Sequence, residues 1–150
     1  MNLFGLMQVS GSALAAERLR AEVVTSNLAN AESTRTPEGG AYRRKQAVFE
    51  SRSASPFQLL LASSGGGSGA SETPGGVRVS GVVEDPAPGL RKYEPGHPDA
   101  DVDGYVAYPD INPLLEMVDL MGATRAYGLN GSAVQAEKGM ISAALEIAKS

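Results

Sequence analysis

Asp99-Ala100-Asp101-Val102-Asp103-Gly104 sets three carboxylates on alternate residues ahead of a glycine, which copies the opening of an EF-hand calcium loop. In such a loop the alternating oxygens converge on the cation while the glycine takes the sharp turn. The rest of the pattern fails. Its twelfth position is Asp110, shorter than the bidentate glutamate these loops use. Pro95-Gly96-His97-Pro98 precludes an entering helix, and Tyr105-Val106-Ala107-Tyr108 reads as a strand. The segment therefore reads first as an acidic turn whose Asp side chains hold local backbone N–H groups. A small calcium-binding extracellular module using Asp99–Asp103 is the alternative.

Other chemistry finds less support. His97 is the sole histidine and the chain has no cysteine, so an ordinary zinc site cannot be assembled. No nucleophile or acid–base pair accompanies His97, which argues against an enzyme, a cell-wall hydrolase included, and no cofactor is expected. Gly65-Gly66-Gly67-Ser68-Gly69 is a poor phosphate cradle, because no Gly-Lys-Ser/Thr sequence follows. Arg43-Arg44-Lys45, with Arg35 upstream, is either a contact for an acidic partner surface or a solvated strand edge. It is too small for nucleic-acid binding in a chain of net charge −4.

The elements around these residues fall into a simple order. Leu6, Val9, Ala13, Ala16, Leu19 and Val23 recur at steps of three and four, which predicts a helix from Leu3 to Ala31. The breaker cluster Ser33-Thr34-Arg35-Thr36-Pro37-Glu38-Gly39-Gly40 ends it. Asn27 and Asn30, late on this helix, are poor interior residues; they either satisfy its last carbonyls or bond across an interface. Strands are expected over 47–52, 57–61, 77–83, 90–93 and 104–108, with a low-complexity Gly/Ser loop at 63–76.

A second helix opens at Asn112-Pro113, a favourable N-cap followed by a proline whose missing N–H costs nothing there. Glu116 and Asp119 lie near the positive end of its dipole. Gly122, Gly128, Gly131 and Gly139 each cost ~1 kcal/mol relative to alanine. They mark either a kink near Gly128-Leu129-Asn130-Gly131 or a close approach by a neighbouring helix. Unbroken, the helix would span ~55 Å, against a radius of gyration of ~15 Å for a globular chain of this length. Such helices need another copy of the same architecture to cover their apolar stripes.

Composition fits that view. Aromatic residues are 5% of the chain and tryptophan is absent, so material for a deep core is scarce. No stretch approaches the ~20 apolar residues of a membrane-spanning helix. Met1-Asn2-Leu3-Phe4-Gly5-Leu6-Met7 lacks a basic n-region, so export, if it occurs, is expected without a cleaved signal peptide.

Ser26-Asn27-Leu28-Ala29-Asn30-Ala31 resembles the Asn-φ-Ala-Asn signature of bacterial flagellar rod and hook proteins. The stretch from Asn30 to Lys45 is similar to one peculiar to a proximal-rod family within that group. So are Asp85-Pro86, Tyr93-Glu94-Pro95-Gly96-His97-Pro98-Asp99-Ala100-Asp101 and Gly104-Tyr105-Val106-Ala107. Met117-Val118-Asp119-Leu120-Met121, Thr124-Arg125-Ala126-Tyr127, Ala136-Glu137-Lys138-Gly139-Met140 and Ala144-Leu145-Glu146-Ile147 resemble its C-terminal helix. Gly128, Gly131, Gly139 and Glu32-Ser33 depart from the family pattern.

The resemblance implies an α+β fold. Residues 1–31 and 113–150 would pair as a coiled-coil-like inner domain, and 32–112 would form an extended loop and β-rich outer module. It implies a structural subunit of the proximal rod in the flagellar basal body, assembled helically around the export channel and carrying motor torque across the periplasm. Partners would be other copies of the chain, other proximal and distal rod proteins, and the motor-ring and export-gate junction. On this reading the inner interface draws on Leu6, Val9, Ala13, Ala16, Val23, Asn27 and Asn30, against Val118, Met121, Val134, Ile141 and Leu145. Tyr42, Arg43 and Arg44 are candidates for contacts between outer modules.

Overall fold

The computed structural model describes residues 3–52 and 75–149. Its elements run α1 (Leu3–Ala29), β1 (Lys45–Ser51), β2 (Val77–Glu84), β3 (Leu90–Tyr93), β4 (Tyr105–Tyr108) and α2 (Pro113–Ile147). Two long helices thus flank a small middle region with two antiparallel two-stranded sheets, β1-β2 and β3-β4, an α+β arrangement. The expected strand over 57–61 and most of the Gly/Ser loop lie outside the described residues.

Both helix boundaries follow from local chemistry. Asn30 closes α1 by donating both its backbone N–H, at 3.1 Å, and its Nδ2–H, at 2.9 Å, to the Ser26 carbonyl, so that side chain and backbone share one acceptor of the last turn. At the start of α2, Asn112 Oδ1 accepts the Leu114 N–H at 3.0 Å, the expected N-cap. Continuity of α2 from Pro113 to Ile147 rules out a break near Gly128. No atom of the described residues beyond the local backbone lies within 4 Å of a Cβ built on Gly122, Gly128, Gly131 or Gly139. The helix therefore tolerates its glycines with no described neighbour pressed against them.

The chain divides into two compact units. One comprises residues 1–17, 49–80 and 125–150. Here Ser10 and Glu137 are both buried, and Ser10 Oγ donates to Glu137 Oε1 at 3.1 Å, joining the first half of α1 to the second half of α2. Ser12 Oγ accepts the Val77 N–H at 3.1 Å and Arg52 N–H donates to the Gly76 carbonyl at 2.7 Å, which ties this end of the β1-β2 ribbon to the helix.

The other unit comprises residues 18–48 and 81–124. Its apolar core is small: Val24 from α1, Val106 from β4, Ile111 before α2 and Ala123 within it. β3 and β4 pair in register from Leu90 with Tyr108 to Tyr93 with Tyr105. The turn between them uses Gly104 at φ +78°, where a side chain would also meet the Tyr93 ring. No described helix is long and apolar enough to cross a membrane.

Candidate functional site

In most domains the largest fully buried side chains are apolar. Here they are Glu116, Val106 and Asn27. Two of the three are polar, buried as deeply as the apolar core beside them, and burial of this kind is tolerated only when every polar atom finds a partner.

Asn27 does so completely. Its Nδ2 donates to the Lys45 carbonyl at 2.8 Å and to Glu116 Oε2 at 3.0 Å. Its Oδ1 accepts the Lys45 N–H at 2.9 Å and the Tyr42 hydroxyl at 3.2 Å. That fills the full capacity of an amide side chain, two donors and two lone pairs. By bonding both N–H and C=O of Lys45, the amide acts as a stand-in for a neighbouring strand where β1 begins.

Glu116 closes the arrangement from α2. Arg44 Nε donates to its Oε1 at 2.6 Å, with the glutamate side chain 2% exposed and the arginine 23%. Arg44 also lies 3.8 Å from Asp119, which receives Arg20 Nη2 from α1 at 3.0 Å. Two cations and two carboxylates thus alternate across the junction. The end of α1, the segment that follows it and the first turns of α2 are pinned to one another. Thr34 Oγ1, donating to Asp99 Oδ2 at 2.8 Å, adds the segment before β4 to the same unit.

These contacts separate roles that sequence spacing leaves merged. Asn30 serves the helix terminus, whereas Asn27 bonds across to two other segments. Residues 42–45 alternate: Tyr42 and Arg44 turn inward to Asn27 and Glu116, while Arg43 stays exposed. In this unit Arg18, Arg20, Arg35, Arg44, Lys45, Arg91 and Lys92 each lie within ion-pair distance of a carboxylate. Among the described residues of the unit, Arg43 is the one cation without such a partner. Glu116, placed by spacing at a helix dipole, is the functional residue that sequence reasoning missed; its partner Arg44 is 72 positions away.

The remaining expected interface positions divide by exposure. Ala16 is buried, while Leu6, Val9, Ala13, Val23, Val134 and Ile141 are half-buried. Val118, Met121 and Leu145 are 54%, 64% and 57% exposed, and Leu114, Leu115, Leu129 and Ile147 stand out on α2 with them. A helix with this many exposed apolar residues carries surface that a neighbour can cover.

The acidic turn is occupied by its own chain. Asp101 Oδ1 accepts the N–H groups of Tyr105 at 2.8 Å and Asp103 at 3.0 Å, and Arg91 pairs with Oδ2. The Tyr105 N–H above all, then the Asp103 N–H and the Arg91 guanidinium, hold the Asp101 carboxyl below its ordinary value. Among the described residues no acidic, histidine or cysteine group is arranged to hold a metal ion, and the calcium reading finds no support in this geometry. His97 is engaged locally as well. Its Nδ1 accepts the Asp99 N–H at 3.1 Å, and its ring meets Tyr108 edge-on.

A lowered carboxyl pKa stabilises the folded turn above the unfolded-state value and loses that contribution as pH falls toward the folded one. The Asp101 contribution is therefore expected to decline as pH drops below 3.8, the ordinary aspartate value. Proton exchange and chemical shift of the Tyr105 amide across that range check this. Calcium at neutral pH is expected to leave the same resonance in place, and a saturable shift would restore the calcium reading.

Comparison with known proteins places these features. Residues 7–35 match the family model described as flagella basal body rod protein, and residues 102–147 match that of the flagellar basal body rod FlgEFG protein C-terminal region. The chain is 44% identical to the flagellar basal-body rod protein FlgC of Bacillus subtilis, over 99% of its own length and 100% of the relative's. It is 38% identical to FlgC of Borreliella burgdorferi over 98% of each chain, and 40% identical to FlgC of Salmonella typhimurium over 94% of each.

Proposed function

The chain belongs to the FlgC family of flagellar basal-body rod proteins, and from that premise we propose that it is a structural subunit of the proximal rod, assembling helically around the export channel and transmitting motor torque. The observation that carries this is the match to FlgC of Bacillus subtilis, 44% identical over 99% of this chain and 100% of the relative. Its place is the basal body, within the rod that crosses the periplasm. Its partners are further copies of itself and the other proximal and distal rod proteins, with the motor-ring and export-gate junction at one end. It performs no chemistry of its own.

The physical logic is that of a mechanical part. The exposed apolar residues of α2 gain a covering surface only in an assembly. The charged junction around Glu116 fixes how the outer β segments are held to both helices. Torque then passes through many contacts of modest individual strength.

Deleting the encoding gene tests the proposal. The deletion strain is expected to lose swimming and to yield basal bodies without a completed rod, and the wild-type chain supplied in trans is expected to restore both. A motile deletion strain would overturn the reading.

A further inference from the structure

Two exposed features of one unit carry opposite charges that find no ion-pair partner among the described residues. The first is Arg43, which lines a cleft of about 410 Å³ together with Arg35, Lys45, Pro37, Ala41 and the carboxylates of Glu38 and Glu84. Where the other cations of that unit are each paired, this one is not.

The second is the tip of the β3-β4 turn. Asp101 anchors it from within through the Asp103 and Tyr105 N–H groups, and Gly104 at φ +78° sets its return. Val102 at that tip is 103% exposed, and the Asp103 carboxylate beside it has no partner among the described residues. A rigid projection loses little conformational freedom when it docks. A valine held wholly in water beside an unpaired carboxylate gains from an apolar wall and a cation together.

We propose that the Val102-Asp103 tip of one copy docks in the Arg43 cleft of a second copy, with the Asp103 carboxylate on the Arg43 guanidinium. This rests on the rod-subunit reading above and deepens it by naming a contact. Asp110 is a poorer occupant, because in its own chain it already lines a smaller cleft together with Arg43. Glu38 lines the Arg43 cleft itself and is excluded on the same ground. Tip and cleft are different surfaces, so the contact is heterologous, the class of contact that builds an open helical arrangement when its rotation does not close into a ring.

The chain has no cysteine, so an introduced pair is unambiguous. Arg43→Cys and Asp103→Cys chains, distinguishable by different epitope tags, are co-expressed in the deletion strain, and purified basal bodies are oxidised. Expected is a disulfide-linked dimer carrying both tags, with none from either variant alone. In parallel, Arg43→Glu is expected to shrink the swimming halo several-fold, and Asp103→Arg in the same chain to restore it. Basal bodies that contain both cysteine variants but give no mixed dimer would overturn the proposal. So would an Arg43→Glu strain that swims like wild type. Wild-type chain missing from purified basal bodies would instead overturn the rod-subunit reading, which keeps the two failures apart.

Discussion

Replacing Glu116 by alanine is expected to cost about 3–5 kcal/mol in the unit it belongs to, the usual result of removing one partner from a buried ion pair. The Glu116 side chain is 2% exposed, and both carboxylate oxygens are engaged. Its loss strands the Arg44 guanidinium, whose side chain is only 23% exposed, and takes one acceptor from the wholly buried Asn27 amide. Arg44 keeps Asp119 at 3.8 Å, too long to replace a 2.6 Å charge-assisted bond. Glu116→Gln is expected to cost less, because an amide oxygen can still accept one bond and the volume is kept. Circular dichroism melting reads the global effect. Amide exchange at Lys45 reads the local one, since that N–H is bonded to Asn27. Equal melting of Glu116→Ala and wild type would show that the junction contributes nothing.

Sequence alone does not announce this junction. Asn112-Pro113 marks the start of α2 through chemistry that acts within two residues, and the structure places the helix there. The same short-range logic assigns Glu116 to the helix dipole, which is true of its position and silent about its side chain. What buries it is Arg44, which reaches α2 only after the chain has turned at Gly39-Gly40 and approached β1. Residues 43–45 show the limit in another form. Read as a string, Arg43-Arg44-Lys45 is one basic cluster, yet an extended backbone sends neighbours to opposite sides. Arg44 becomes a buried partner, and Arg43 is left on the surface. The glycines of α2 misdirect in the opposite sense. Their helix-breaking tendency is a weak local preference, and the helix continues through all of them.

Asn27 gives the sharpest test of chemistry against shape, because Asn27→Asp keeps the volume and changes only what one atom can do. The Nδ2 that donates to the Lys45 carbonyl and to Glu116 becomes an oxygen, 3.0 Å from Glu116 Oε2. Two acceptors then face each other in a fully buried site, and like charges at that distance cannot both ionise at ordinary cost. Asn27→Ala leaves the Lys45 N–H, the Lys45 carbonyl and Glu116 each short of a bond, and is expected to cost at least ~2 kcal/mol, since each unsatisfied buried group costs ~1–3 kcal/mol. Asn27→Asp is expected to cost more at neutral pH. The two also differ in how they respond to acid. The new carboxyl should titrate above the ordinary carboxylate range, so the folded state binds more protons than the unfolded one. Stability then falls as pH rises and recovers as pH drops. Measured against wild type at each pH, the deficit of Asn27→Asp should therefore shrink between neutrality and mild acid, while that of Asn27→Ala should stay level. Deficits of equal size and equal pH dependence would mean that Asn27 serves only to fill space, and that the buried amide does not hold the helix end to β1 and α2.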